Sequence, residues 1–228
     1  MSAPQSSSAP LPPPVFGEPT PLGLLGLAIG CASLVPIAFG WIPTDVAKAV
    51  MMLKTAAWMC LLFGAGCQFL AGIMSLANKN TLGGTLLTTF SFNWVFNWWV
   101  LDQASQGKMV DPHVGLAVDV TFLLIFLVLT YAFGFFSKVL FAFLAVIDAL
   151  YVIRIAKHFA GPASAASFGP LLGFATLALG AIALYLALAI LLNGAAGRVI
   201  LPIGGPLFTA GPKPEAEKAA AEPARALA

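Results

Sequence analysis

Charged side chains make up only 9% of this 228-residue sequence, against 60% hydrophobic residues and a mean hydropathy of +0.94. An ordinary soluble domain has about 25% charged and roughly 45–50% apolar residues. So little charge cannot cover a water-soluble surface, whereas a bilayer accepts apolar side chains on the outside as readily as on the inside. A soluble globular enzyme is excluded, and the chain reads as an integral membrane protein.

Dense basic runs are also missing. Eleven Lys and Arg against nine Asp and Glu give a net charge of +2, with no clustered footprint for nucleic acid. Cysteine and histidine are sparse. Cys31, Cys60 and Cys67 all lie in apolar runs, where cysteine behaves as a small buried hydrophobe. Cys60 and Cys67 are seven apart and share a helix face, but no His or third Cys stands near them in sequence. His113 and His158 stand alone at helix ends. No carboxylate pair, Ser–His arrangement or Cys/His cluster has catalytic spacing, so no enzyme activity, metal or cofactor is expected.

What the sequence does have is long uncharged runs, at residues 22–40, 55–78, 80–101, 120–137 and 158–197. A helical span needs about 20 apolar residues. The last run contains a loop around Gly161-Pro162-Ala163-Ser164 before its helix, and Val139 to His158 supplies another. The fold class is therefore all-α, with six transmembrane helices in one bundle per protomer, at roughly 22–40, 46–76, 82–101, 113–136, 139–158 and 169–193. Residues 1–21, rich in Pro and Ser, and 205–228, rich in Pro, Ala, Glu and Lys, read as flexible tails around a membrane domain at 22–204. No positively charged stretch precedes the first run, which is expected to stay as a span rather than be removed as a signal peptide. Short connections leave no room for an extramembrane domain, so function must sit inside the bundle.

Six spans put both tails on one side. That side carries Lys79, Lys138, Arg198, Lys213, Lys218 and Arg225, the other Lys48, Lys54, Lys108, Arg154 and Lys157, and six against five gives the positive-inside rule nothing to decide.

Ionisable and amide side chains inside spans are expensive unless they face protein or water. Gln68, Asn93, Asn97, Asp119, Asp148 and Arg154 are the candidates. Asn93 and Asn97 share a helix face beside Trp94, Trp98 and Trp99; they either hydrogen-bond across a helix interface, with the tryptophans as an interfacial belt, or line a solute path. Asp148 is expected near mid-membrane, either in an ion pair with Lys54 or Arg154 or as a proton-relay or pore-lining group. Asp119, close to its helix start, is expected at the wet interface. Gly26 and Gly30, like Gly169 and Gly173, are four apart, which allows helix backbones to approach closely.

Three segments recur in a recognisable order: Glu18-Pro19-Thr20-Pro21-Leu22-Gly23-Leu24; Gln68-Phe69-Leu70-Ala71-Gly72 followed by Asn80-Thr81-Leu82-Gly83; and Tyr185-Leu186-Ala187, Asn193, then Gly197-Arg198-Val199-Ile200-Leu201-Pro202-Ile203-Gly204. Over residues 18–204 the chain resembles the acetate uptake transporter family, the succinate/acetate permeases. The matched motif positions include Pro19, Pro21, Gly23, Asn80, Thr81, Gly83 and Arg198. The resemblance implies a six-helix protomer in a homo-oligomeric, hexameric ring, in a cell or bacterial inner membrane with both termini cytoplasmic. Each protomer would enclose its own path for small monocarboxylates such as acetate, and sometimes succinate. It also implies an apolar constriction at Leu27, Phe90 and Ile147, where the family has Phe, Tyr and Leu, with Gln68, Asn93, Asp148, Tyr185 and Asn193 lining the path or binding solute. Phe90 lacks the phenol hydroxyl of the family's Tyr, and Glu18 adds a negative charge where the family has Asn. Passage of another small neutral solute, coupling to H⁺, and a non-transporting subunit with a closed path stay open beside the carboxylate reading.

Overall fold

The computed structural model describes residues 13–161, 164 and 167–209. Most of both expected tails, including Lys213, Lys218 and Arg225, lies outside the described residues, as do Pro162 and Ala163 of the loop expected before the last helix. Among the described residues there is no strand. The described residues run through six long helices: α1 (Thr20–Ala38), α2 (Val46–Ala77), α3 (Thr81–Ser105), α4 (Pro112–Phe133), α5 (Lys138–Phe159) and α6 (Phe168–Ala196). All but α3 are long and apolar enough to cross a membrane. Helix α3 spans 25 residues, but Asn93, Asn97, Asp102 and Gln103 dilute its hydropathy.

Helix boundaries follow from local chemistry. Asp45, Asn80, Asp111 and Ser137 precede α2, α3, α4 and α5 and accept from amides of their first turns, satisfying donors that have no partner within the helix. Pro21 and Pro112 occupy first-turn positions of α1 and α4, where a missing N–H costs nothing. The Val114 and His113 amides hold the Asp111 carboxyl below the usual carboxylate range. Gly40, Gly107 and Gly161 follow α1, α3 and α5 at φ of +74°, +71° and +73°, the left-handed conformation that closes a helix and that glycine adopts without strain.

Short connections make successive helices antiparallel, so the start of α1 and the end of α6 lie at one end of the bundle. There the chain is tied down at both edges. The Phe16 amide donates to Asn78 Oδ1 at 2.9 Å, and Asn78 Nδ2 returns a bond to the Phe16 carbonyl at 2.9 Å. Residues 203–208 lie along the α4–α5 turn: Ser137 Oγ donates to the Ile203 carbonyl, Lys138 N to Gly205, and the Leu207 and Phe208 amides to Gly134. Ordered structure thus begins before residue 22 and continues past 204, because paired polar backbone holds these short segments where composition alone reads as tail.

The core is tightly packed. Phe126, Leu27, Leu144, Ile147 and Leu186 are fully buried among the helices. A Cβ at Gly26 would collide with the Phe63 carbonyl, and one at Gly30 or Gly64 with the Trp94 indole. Trp94 is therefore a core residue, 2% exposed, and not part of the interfacial belt expected for it. Residues Cys60–Cys67 of α2 wind as a π-helix, whose wider turn departs from the 3.6-residue register. That removes the shared face expected for Cys60 and Cys67: the first is buried and the second half-buried.

Candidate functional site

Two cavities enter the bundle from opposite ends. The larger, about 440 Å³, lies at the end where α4 and α6 begin; its polar lining comes from Asn93 and Asn97 of α3, Asp119 of α4, Tyr151, Arg154 and Lys157 of α5, and Thr176 of α6. The smaller, about 280 Å³, lies at the end where the chain is tied down and is mostly apolar, with polar contributions from Glu18, Thr20, Gln68 and Asn80. Among the described residues, Phe90 is the side chain common to both linings. It is 5% exposed, and its ring meets Phe126 edge-on at 4.9 Å between centroids. Phe126 in turn stacks near Tyr151 at 5.8 Å, and Tyr151 on Phe122 at 5.6 Å, so rings from α3, α4 and α5 build an aromatic wall beside Phe90.

Ile147 is buried and lines the polar cavity; Leu27 is fully buried and lines neither. Gln68 reaches the apolar cavity with its Oε1 buried and unbonded. The opening and middle motifs meet around that same cavity, through Glu18, Asn80 and Gly83. Their local roles differ: Glu18 Oε1 accepts from the Thr20 amide at 3.0 Å, Asn80 Oδ1 accepts from Gly83 at 3.0 Å, and Gly23 brings α1 against Leu87 and Ala71. Pro19 is the residue just before α1, Thr81 begins α3, and Arg198 is exposed beyond α6.

Tyr185 and Asn193, expected on the path, bond the closing motif instead. Tyr185 Oη donates to the Pro202 carbonyl at 2.6 Å; Asn193 Nδ2 donates to Leu201 at 2.8 Å, while its Oδ1 accepts from the Ile200 and Leu201 amides. Neither lines either cavity.

Asp148 lines neither cavity. Its Oδ2 accepts from Thr130 Oγ1 at 2.7 Å, so the expected ion pair with Lys54 or Arg154 is absent, and a neutral hydroxyl from α4 takes that place. Arg154 pairs with Asp119: Nη2 stands 2.8 Å from Oδ1, and Nε donates to Oδ2 at 3.1 Å. Asp119 is correspondingly 8% exposed rather than at the wet interface expected for it. Asp119 and Arg154 lie at similar distances from the turn of the α4–α5 hairpin on its two arms, whereas Thr130 lies much nearer the turn than Asp148 does. His113 and His158, expected to stand alone, also face each other across this hairpin, with rings 6.0 Å apart.

Asn93 is 4% exposed and its Oδ1 has no hydrogen-bond partner among the described residues; the same holds for Trp94 Nε1 and Tyr151 Oη. The interhelical bond considered for Asn93 is thus not formed through that oxygen. Arg154 rests over the Tyr151 ring at 5.6 Å, which places a cation beside these groups.

The sequence pattern of the GPR1/FUN34/yaaH family matches residues 2–203. The glyoxylate pathway regulator of Yarrowia lipolytica is 32% identical over 99 residues, 43% of this chain and 34% of that protein, so the alignment spans about a third of that relative's length. The succinate-acetate/proton symporter SatP of Escherichia coli K12 is 29% identical over 201 residues, 83% of this chain and 96% of SatP. The solved structure of the bacterial acetate channel SatP superposes with a TM-score of 0.71 at 23% identity, covering 83% of this chain and 99% of that one, which shows a common fold.

Proposed function

Because the chain belongs to the GPR1/FUN34/yaaH family, we propose that it is a membrane transporter or channel for small monocarboxylates such as acetate, with succinate as a further candidate. The observation that carries the reading is the pair of cavities entering from opposite ends and meeting at Phe90. In this reading all six helices span the bilayer, α3 included. Its amides face the polar cavity and so escape lipid, which is where polar groups in a span belong. The chain works as a homo-oligomer, a hexameric ring, with both termini cytoplasmic.

Phe90, Ile147 and Leu27 form the constriction. An apolar constriction selects by size and by the cost of dehydration, and an ionised carboxylate is far costlier to strip of water than its neutral acid. Passage of the undissociated acid is therefore favoured, and flux rises as pH falls. Gln68 and Asn93 serve the solute on the two sides of Phe90. Asp148, Tyr185 and Asn193 act as supports of the path.

The test is labelled-acetate uptake into liposomes containing the purified protein. Uptake above that of empty liposomes, increasing towards acid pH, is expected; uptake equal to empty liposomes at every pH from acid to neutral would overturn the reading.

A further inference from the structure

The polar cavity differs from its apolar counterpart in the sign of its charge. Arg154 and Lys157 outnumber Asp119 among its charged lining residues, whereas the apolar cavity has Glu18 alone. The Arg154–Asp119 pair engages one side of the guanidinium, with Nε donating to Oδ2 and Nη2 standing 2.8 Å from Oδ1. Guanidinium has five N–H donors in a fork suited to carboxylates, so most of the fork is unused. The Arg154 side chain retains 29% exposure against 12% for Asp119, and the Tyr151 ring supports it from one side. Deeper in the same lining, Asn93 and Tyr151 each have a buried polar atom with no partner among the described residues. Native proteins rarely leave such atoms orphaned without a water, ion or ligand to meet them.

We propose that Arg154 is an exchangeable carboxylate-binding residue, exchanging part of its bond to Asp119 for the carboxylate of a small solute, with Tyr151 and Asn93 receiving that solute on its way to Phe90. Asp119 then acts as an internal competitor that holds the guanidinium in place while the cavity is empty and keeps the affinity low enough for release. A path must bind solute tightly enough to admit it and weakly enough to pass it on. The inference rests on the carboxylate reading above and adds a residue, a location and a direction of charge dependence to it.

The two partners make opposite predictions. Asp119→Asn should tighten acetate binding several-fold by removing the competitor. Arg154→Gln should weaken it by about tenfold or more, the scale of a lost charge-assisted hydrogen bond. Because Arg154→Gln leaves a buried carboxylate unpaired, Asp119→Asn/Arg154→Gln serves as the variant without that burden and should bind as weakly. Arg154→Lys should fall between, keeping charge without the fork. Binding is read by line broadening of ¹³C-acetate on the detergent-solubilised protein at neutral pH, and flux separately in liposomes. Opposite shifts for Asp119→Asn and the double variant support the exchange whether or not flux is seen. Equal shifts, no shift, or wild-type protein that does not broaden the acetate signal overturns it; flux above empty liposomes alongside that result leaves the transport reading standing.

Discussion

At Phe90 a single ring is shared by the two cavities, and its surroundings determine how it can move. Trp94 is pinned by Gly30 and Gly64, and Phe126 is fully buried, so the wall has few neighbours able to yield. Phe90→Ala should join the cavities, raise acetate flux and relax size selection among small acids, at a cost of about 3–5 kcal/mol typical of a deleted core aromatic. A flux series over acids of increasing chain length checks this, with thermal unfolding in detergent as the measure of stability. Phe90→Tyr restores a hydroxyl to the wall and should shift preference towards carboxylates over neutral amides of equal size. Asp148 presents the contrary case. Bonded to Thr130 and outside both linings, it supports the α4–α5 contact, so Asp148→Asn should leave the pH profile of flux unchanged; a flattened profile would return the proton to Asp148.

Among the elements, the α4–α5 hairpin holds the most information that the linear sequence conceals. Its capping residues are legible: Asp111-Pro112 and Ser137 announce helix starts as plainly as any composition shift. Asp111 gives a pH test at the soluble edge of α4. Its folded-state pKa is depressed, so its support of the first turn is complete above the ordinary carboxylate range and is lost as pH falls through the lowered value. The protection factor of the amides at the start of α4, the intrinsic exchange rate divided by the observed one, should therefore fall on acidification, and Asp111→Ala should show the low value at all pH values. The pairings across the hairpin are less legible, because they depend on how α4 and α5 face each other, which spacing along either helix does not give. The π-helical turn in α2 leaves no mark in CLLFGAGC beyond its small residues, one of which, Gly64, packs directly against the Trp94 indole of α3. Gly64→Ala should place a methyl inside that indole and lower stability by about 1–3 kcal/mol, the usual cost of overpacking, read as a shift in the thermal midpoint.

For the whole molecule, uncharged runs and their interruptions gave helix positions to within a few residues at most ends, because the bilayer constrains length and polarity together. What composition could not supply was which polar groups share a cavity, since that depends on how six helices are rotated about their axes. The arrangement can be tested from outside. Asn97→Cys should react with an impermeant thiol reagent from one face of the membrane and Thr20→Cys from the opposite face, each measured above the signal of the native cysteines. Reaction of both from the same face would contradict cavities that open at opposite ends.

The segment 203–208 also has a bearing on the order in which the chain can mature. The Lys138 amide and the Gly134 carbonyl are made early in synthesis, yet their partners at Gly205, Leu207 and Phe208 are made only after α5 and α6. Until then the α4–α5 turn must be met by water, at the edge of the bilayer. Closing this turn therefore has to wait until residues 205–208 have been made, and a nascent protein interrupted before residue 203 would hold α1–α6 without this latch.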